Sequence, residues 1–159
     1  MKKYELTAEF IEKWGKKLFR IKALISFGSV EAGELGGYVE KEDNLAQNGN
    51  AWVFDDARVY GNARVCGNAR VYGNADYLLI GRIGSRFSFT TFFKNKDKGI
   101  TVSCGCFLGT IAEFRAKVTD THGNNKHAKM YNLAADMAEL QILGEEHFDK
   151  LNTNKSEPF

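Results

Sequence analysis

Residues 49–78 read GNAWVF, DDARVY, GNARVC, GNARVY, GNADYL when they are taken in sixes. Ala recurs at 51, 57, 63, 69 and 75, and Val at 53, 59, 65 and 71, with Tyr77 in the fifth place. A period of six fits neither a helix at about 3.6 residues per turn nor a hairpin meander, whose strands are longer. It predicts a parallel β-helix built from hexapeptides, in which each hexad gives one short strand and one corner. The branched Val packs inward, the small Ala sits where the corner narrows, and Gly-Asn supplies the corner conformation.

Two rows are expected to point outward from such a coil. Trp52, Arg58, Arg64, Arg70 and Asp76 share one place in the hexad, and Phe54, Tyr60, Cys66, Tyr72 and Leu78 share another. Packing between subunits or against the following segment is one use for them, with Arg stacked on Tyr. An Arg ladder for an anionic ligand is the other. A triangular coil points consecutive hexads in different directions, so only residues 18 apart, such as Trp52 and Arg70, stack on one face.

Outward from the repeat, residues 1–24 predict a β-hairpin cap turned near Trp14-Gly15-Lys16, and 25–79 the hexapeptide β-helix with an irregular first coil before the repeat. Residues 80–150 predict an α+β unit and 151–159 a disordered tail. Within the α+β unit, strands flank the charged turn after Phe93, and Thr110 with Glu113 forms a capping box for a helix that ends near Gly123. A second helix is expected from about Asn125 to Leu143, with Ala134, Met137, Ala138 and Leu140 as its apolar stripe. The class is therefore mainly β. So short a stack of coils needs neighbours, and a triangular coil suits a homotrimer.

The chain has 159 residues, 43% of them hydrophobic, which is enough for one core and a small appended unit. Its 22 basic and 20 acidic residues leave a net charge of only +2, so no nucleic-acid partner is expected. The start MKKYELTAEF has no apolar run of the kind that leads a secreted protein, and no stretch approaches a membrane span. Cys66, Cys104 and Cys106 are odd in number and poorly spaced for disulfides. A cytoplasmic chain follows.

Candidate chemistry gathers after residue 80. Arg82, Arg86, Thr90, Thr91 and Lys94, then His122, Asn125 and Lys126, surround turns and a helix start, and THGNNK would present N–H groups to an anion. A small anionic ligand is the expected occupant. Cys104 and Cys106 lack the further ligands of a metal site and read as core thiols. A nucleophilic cysteine would need His122 as its base. Hexapeptide β-helices host acyltransferases that use a histidine at the coil, but the hexads contain none; all three histidines follow them. No catalytic residue, metal or cofactor is assigned.

The order of blocks from Tyr4 to Leu140 carries a resemblance. The YELT start, GELGGYVE, the GNARVYGNA hexads and IGSR, TTFF, CGCF and THG are similar to short hexapeptide-repeat proteins of bacteriophages and prophages, also labelled polymer-forming-like β-helix proteins. The resemblance implies a left-handed β-helix, oligomerisation and a phage setting in an infected or lysogenic bacterial host. It supplies no catalytic residue. A non-enzymatic oligomer that captures an anionic ligand, such as a nucleotide signal of host defence, or binds a host protein is the expectation. A structural spacer in a phage assembly is the alternative, with an acyltransferase behind both.

Overall fold

The hairpin strands β1 (Tyr4–Lys13) and β2 (Lys16–Ala23) are rich in apolar residues set among charged ones, and they pair antiparallel from Tyr4↔Ala23 to Lys13↔Lys16 with a shift of register between Leu6 and Phe10. Their two-residue turn, Trp14-Gly15, has φ of 53° and 73°, the positive pair that matches the twist of a hairpin. The structure is a computed structural model that describes residues 1–156. The chain divides into two units, Met1–Asp76 and Tyr77–Phe159.

In the N-terminal unit, the inward row behaves as its side chains dictate. Ala51, Val53, Ala57, Val59, Ala63, Val65, Ala69 and Val71 are all buried. Yet the regular left-handed parallel β-helix expected over 25–79 does not form. The strand β3 (Leu35–Val39) pairs antiparallel with β2, and β5 (Arg58–Val59) then adds parallel to β3, giving one mixed sheet in the order β1-β2-β3-β5. The strands β4 (Trp52–Val53) and β6 (Arg70–Val71) pair parallel in a separate two-stranded sheet.

The physical reason is register. The partners Trp52 and Arg70 are 18 residues apart, as a coil of three hexads requires. Tyr38 and Arg58 are 20 apart, and so are Leu45 and Val65 in an isolated bridge. With only two extended residues per hexad and a shifting interval, no ladder propagates. The hairpin holds one edge of β3, and on the other edge the sheet ends at β5 after a single parallel step. A trimer argued from a triangular coil loses its geometric basis with the coil.

The expected outward row is also corrected at its first place. Trp52 is buried, edge-on to Tyr4 at 6.1 Å and to Phe27 at 5.3 Å. Lys3, also buried, donates to the Ala51 carbonyl at 2.7 Å and lies 4.8 Å from the Phe27 ring centre. Asn44 closes the middle: its amide donates to the Gly61 and Ala63 carbonyls at 3.1 and 2.9 Å, and its side-chain oxygen accepts from the Lys41 N–H at 3.0 Å. All of these polar groups are buried with partners, as low-dielectric interiors demand.

The C-terminal unit is an antiparallel meander with helices on it. The strands β7 (Tyr77–Ile83), β8 (Ser88–Lys94), β9 (Ile100–Cys104) and β10 (Phe107–Thr110) lie in sequence order. The helix α1 (Ile111–His122) starts on the Thr110 and Glu113 capping box, and α2 (Lys126–Ala138) starts on Asn125, whose side chain accepts from the Ala128 N–H. A π-helical turn, Glu139–Leu143, follows, and α3 (Glu145–Ser156) begins after Gly144.

The expected stripe on the second helix is turned. Ala134, Ala135 and Ala138 are buried, where small side chains let the helix approach the sheet, while Met137 and Leu140 are exposed. The Arg115 guanidinium pins α1 to this segment, donating to Asp136 and to the buried Glu139 at 2.7 Å each. Helix reaches residue 156, inside the stretch expected as a disordered tail; residues 157–159 lie outside the described residues. No helix among the described residues is long and apolar enough to cross a membrane.

Candidate functional site

Two turns and two helices of the C-terminal unit surround a cleft of about 510 Å³. That is within the usual range for small-molecule sites. The turn after β7 contributes Ser85 and Arg86, and Ser88 begins β8. The β9–β10 hairpin contributes Cys104, Gly105, Cys106 and Phe107, because Cys104 pairs with Phe107 across a two-residue turn. From α1 come Phe114, Lys117, Val118, Thr121 and His122, whose spacing of three and four puts them on one helix face. Tyr131 reaches in from α2.

The walls are aromatic and the charge is positive. Phe114 is edge-on to Tyr131 at 5.6 Å and tilted against Phe107 at 5.8 Å, while His122 stacks on Tyr131 at 5.9 Å. Arg86 and Lys117 are the permanent charges among the lining residues, and no carboxylate lines the cleft. Backbone glycine is required beneath Tyr131. Gly84 has φ of 83°, and a Cβ there would lie 1.8 Å from the Tyr131 hydroxyl oxygen.

Hydroxyls converge on one thiol. The Thr90 hydroxyl donates to Cys104 Sγ at 3.2 Å. Burial, and then the Cys104 thiol beside it, raise the Tyr131 phenol above its ordinary value, and the Arg86 charge opposes them. Tyr131 is therefore a neutral donor at physiological pH.

Of the residues singled out from sequence, Arg86 and His122 meet in this cleft. Thr90 is buried behind it, reaching it only through Cys104. Thr91 is buried on the next position of β8, and Lys94 is at the end of that strand. Arg82 lies on β7 with its guanidinium 5.9 Å from the Phe89 ring centre. Asn125 uses its side-chain oxygen to cap α2, and Lys126 is exposed at the first position of that helix; neither lines the cleft.

Among the contributors not singled out for a ligand are Lys117, Tyr131, Phe107, Phe114, Cys104 and Cys106. The face Phe114, Lys117, Val118, His122 is readable from helical spacing, but which face looks onto a turn is not. The thiols read as core, yet Cys104 is half-buried and Cys106 exposed. Among the described residues no group of three His, Cys, Asp or Glu side chains is placed to hold a metal ion.

No protein-family model matches the chain. A 63-residue alignment, covering 35% of this chain, is 40% identical to the uncharacterized acetyltransferase YdcK of Escherichia coli (strain K12). It covers 19% of that protein, so the chain spans about a fifth of the relative it matches. The expectation of a non-enzymatic chain draws no support from this similarity.

Proposed function

We propose that the C-terminal cleft binds a small anionic ligand that also presents a flat face, and that the protein acts as its receptor. The observation that carries this is the pairing of Arg86 and Lys117 with an aromatic wall of Phe107, Phe114 and Tyr131 in a cleft with no lining carboxylate. Guanidinium and ammonium groups suit phosphate or carboxylate, and aromatic rings suit a planar body. Nucleotides combine both. In the phage setting implied by the sequence blocks, a nucleotide signal of host defence is the natural candidate.

A thermal-shift panel of mono-, di- and cyclic nucleotides tests this. At least one should raise Tm, and R86A/K117A should weaken its binding by tenfold or more, since each charge-assisted contact contributes about 1.5–3 kcal/mol. A ligand whose shift survives unchanged in R86A/K117A would place the site elsewhere. A chain that responds to no member, and carries no small molecule from cells in native mass spectrometry, would return weight to a spacer role.

Acyl transfer is the second reading. It is favoured by Cys104 and His122 sharing the cleft and by the acetyltransferase relative. Cys104 would take the acyl group from a thioester, releasing the donor thiol, and pass it to an acceptor. Release of free thiol from acetyl-CoA that disappears in both C104A and H122A would support it; release unaffected by either would end it.

A further inference from the structure

The segment from α2 through the π-helical turn is apolar on two sides. One side, with Ala128, Ala134, Ala135, Ala138 and Ile142, is buried in the unit's own core. The other bears Met130, Leu133, Met137 and Leu140, which are 36, 67, 55 and 43% exposed. Successive steps along this second row are three, four and three residues, the spacing of a helix-pairing seam. Chain propensity offers no reason for it, because a solvent-facing row would fold as well with Lys or Glu.

We propose that this row is the seam of an antiparallel helix pair with a second copy of the chain. Charge selects both the occupant and the direction. Lys126 and Lys129 are exposed at the start of α2, and Glu145 and Glu146 are exposed just beyond the π-helical turn. A two-fold axis near the level of Ala135 sets Met130 against the copy's Leu140 and Leu133 against its Met137. The same operation brings each basic start to an acidic end, twice over, as an isologous contact requires. A parallel pair would instead set Lys on Lys and Glu on Glu.

Surface relief agrees. A hollow of about 370 Å³, lined by Lys129, Asn132, Leu133 and Asp136 of α2 with Gly123 and Asn124, runs beside the row. It offers a recess for a facing side chain, and unbranched Met is well suited to fill an irregular one. This pairing involves neither Arg86 nor the thiols, so it stands or falls apart from the ligand cleft.

Sedimentation of the full chain over a dilution series tests the pairing. Wild type should sediment as a dimer that dissociates on dilution, and L133K/M137K should be monomeric with unchanged helical circular dichroism. Charge gives the second arm. K126E/K129E and E145K/E146K should each lose self-association, and an equimolar mixture of the two should regain a dimer. Wild type that stays monomeric throughout overturns the proposal. So does an oligomer that persists in L133K/M137K, or charge variants that pair no better mixed than alone.

Discussion

The two units solve the same problem, covering a short sheet, in opposite ways. In the N-terminal unit the chain covers itself by close backbone approach, and polar groups are spent on its own carbonyls. Lys3 holds Ala51, Asn44 holds Gly61 and Ala63, and Arg20 donates to the Gly36 carbonyl at 2.8 Å while stacking 4.3 Å from the Tyr38 ring centre. In the C-terminal unit the cover is a set of helices, and they leave an aromatic-walled, cationic cleft and an apolar row open. Repetition produced the closed unit, and the irregular stretch produced the candidate chemistry. Function is therefore sought where the pattern stops.

The largest effect should come from the tightest backbone approach in the closed unit. A Cβ on Gly37 would lie 2.4 Å from the Ala57 carbonyl oxygen and 2.8 Å from Val53 Cγ1, both in the packed hexads. Gly37→Ala should cost about 3 kcal/mol in urea unfolding. Gly73, with nothing within 4 Å of a new Cβ, should accept Ala within about 0.5 kcal/mol. If the two variants unfold alike, close approach is not what closes this unit.

The C-terminal unit depends more on a charge cluster than on backbone contact. Arg115→Met removes the partner of Glu139, whose side chain is 7% exposed, and of Asp136, which is 37% exposed. A loss of about 2 kcal/mol is expected, below the value for a fully buried pair because the Asp136 arm meets water. R115M/E139Q should recover most of it, as the stranded carboxylate is then neutral. An R115M that is no less stable would show that helix packing alone holds α1 to α2, and a loss that E139Q does not recover would trace it to the Asn132 and Asp136 contacts and not to a stranded Glu139.

How far these features can be read from the chain follows the same division. The hairpin is legible in the alternation of Leu18, Arg20 and Lys22 against Phe19, Ile21 and Ala23, and the start of α1 in Thr110 and Glu113. Inward packing of Val53, Val59, Val65 and Val71 is legible because a six-residue repeat carries its own environment. What the repeat does not carry is the number of residues between pairing partners. The intervals of 18 and 20 depend on which strand β2 captures, a long-range choice that overrides a local period. Arg86 and His122 could be flagged as polar residues near turns. Cys104 could be weighed as a thiol that would need His122 beside it, but Tyr131 could not be flagged, since its meeting with Cys104 depends on how α2 packs on the sheet.

The smallest expected effect concerns acid. Glu40 accepts from the Gly61 N–H at 2.8 Å and from Lys16 at 3.3 Å, joining the hexads to the hairpin. The backbone bond from Gly61 is the main reason its carboxyl titrates below the ordinary value, with Lys16 assisting and burial opposing. A carboxylate with a depressed native pKa binds its proton more weakly folded than unfolded. Its contribution is therefore full above the unfolded value of about 4.3, and it fades as pH falls through the lower, folded one. Because the group is partly exposed, the contribution should be under about 1 kcal/mol. Unfolding midpoints of wild type and E40Q should differ at neutral pH and converge in acid. A gap that stays constant would mean that Glu40 acts through shape and not charge, so the join between hexads and hairpin would be steric, like the approach at Gly37.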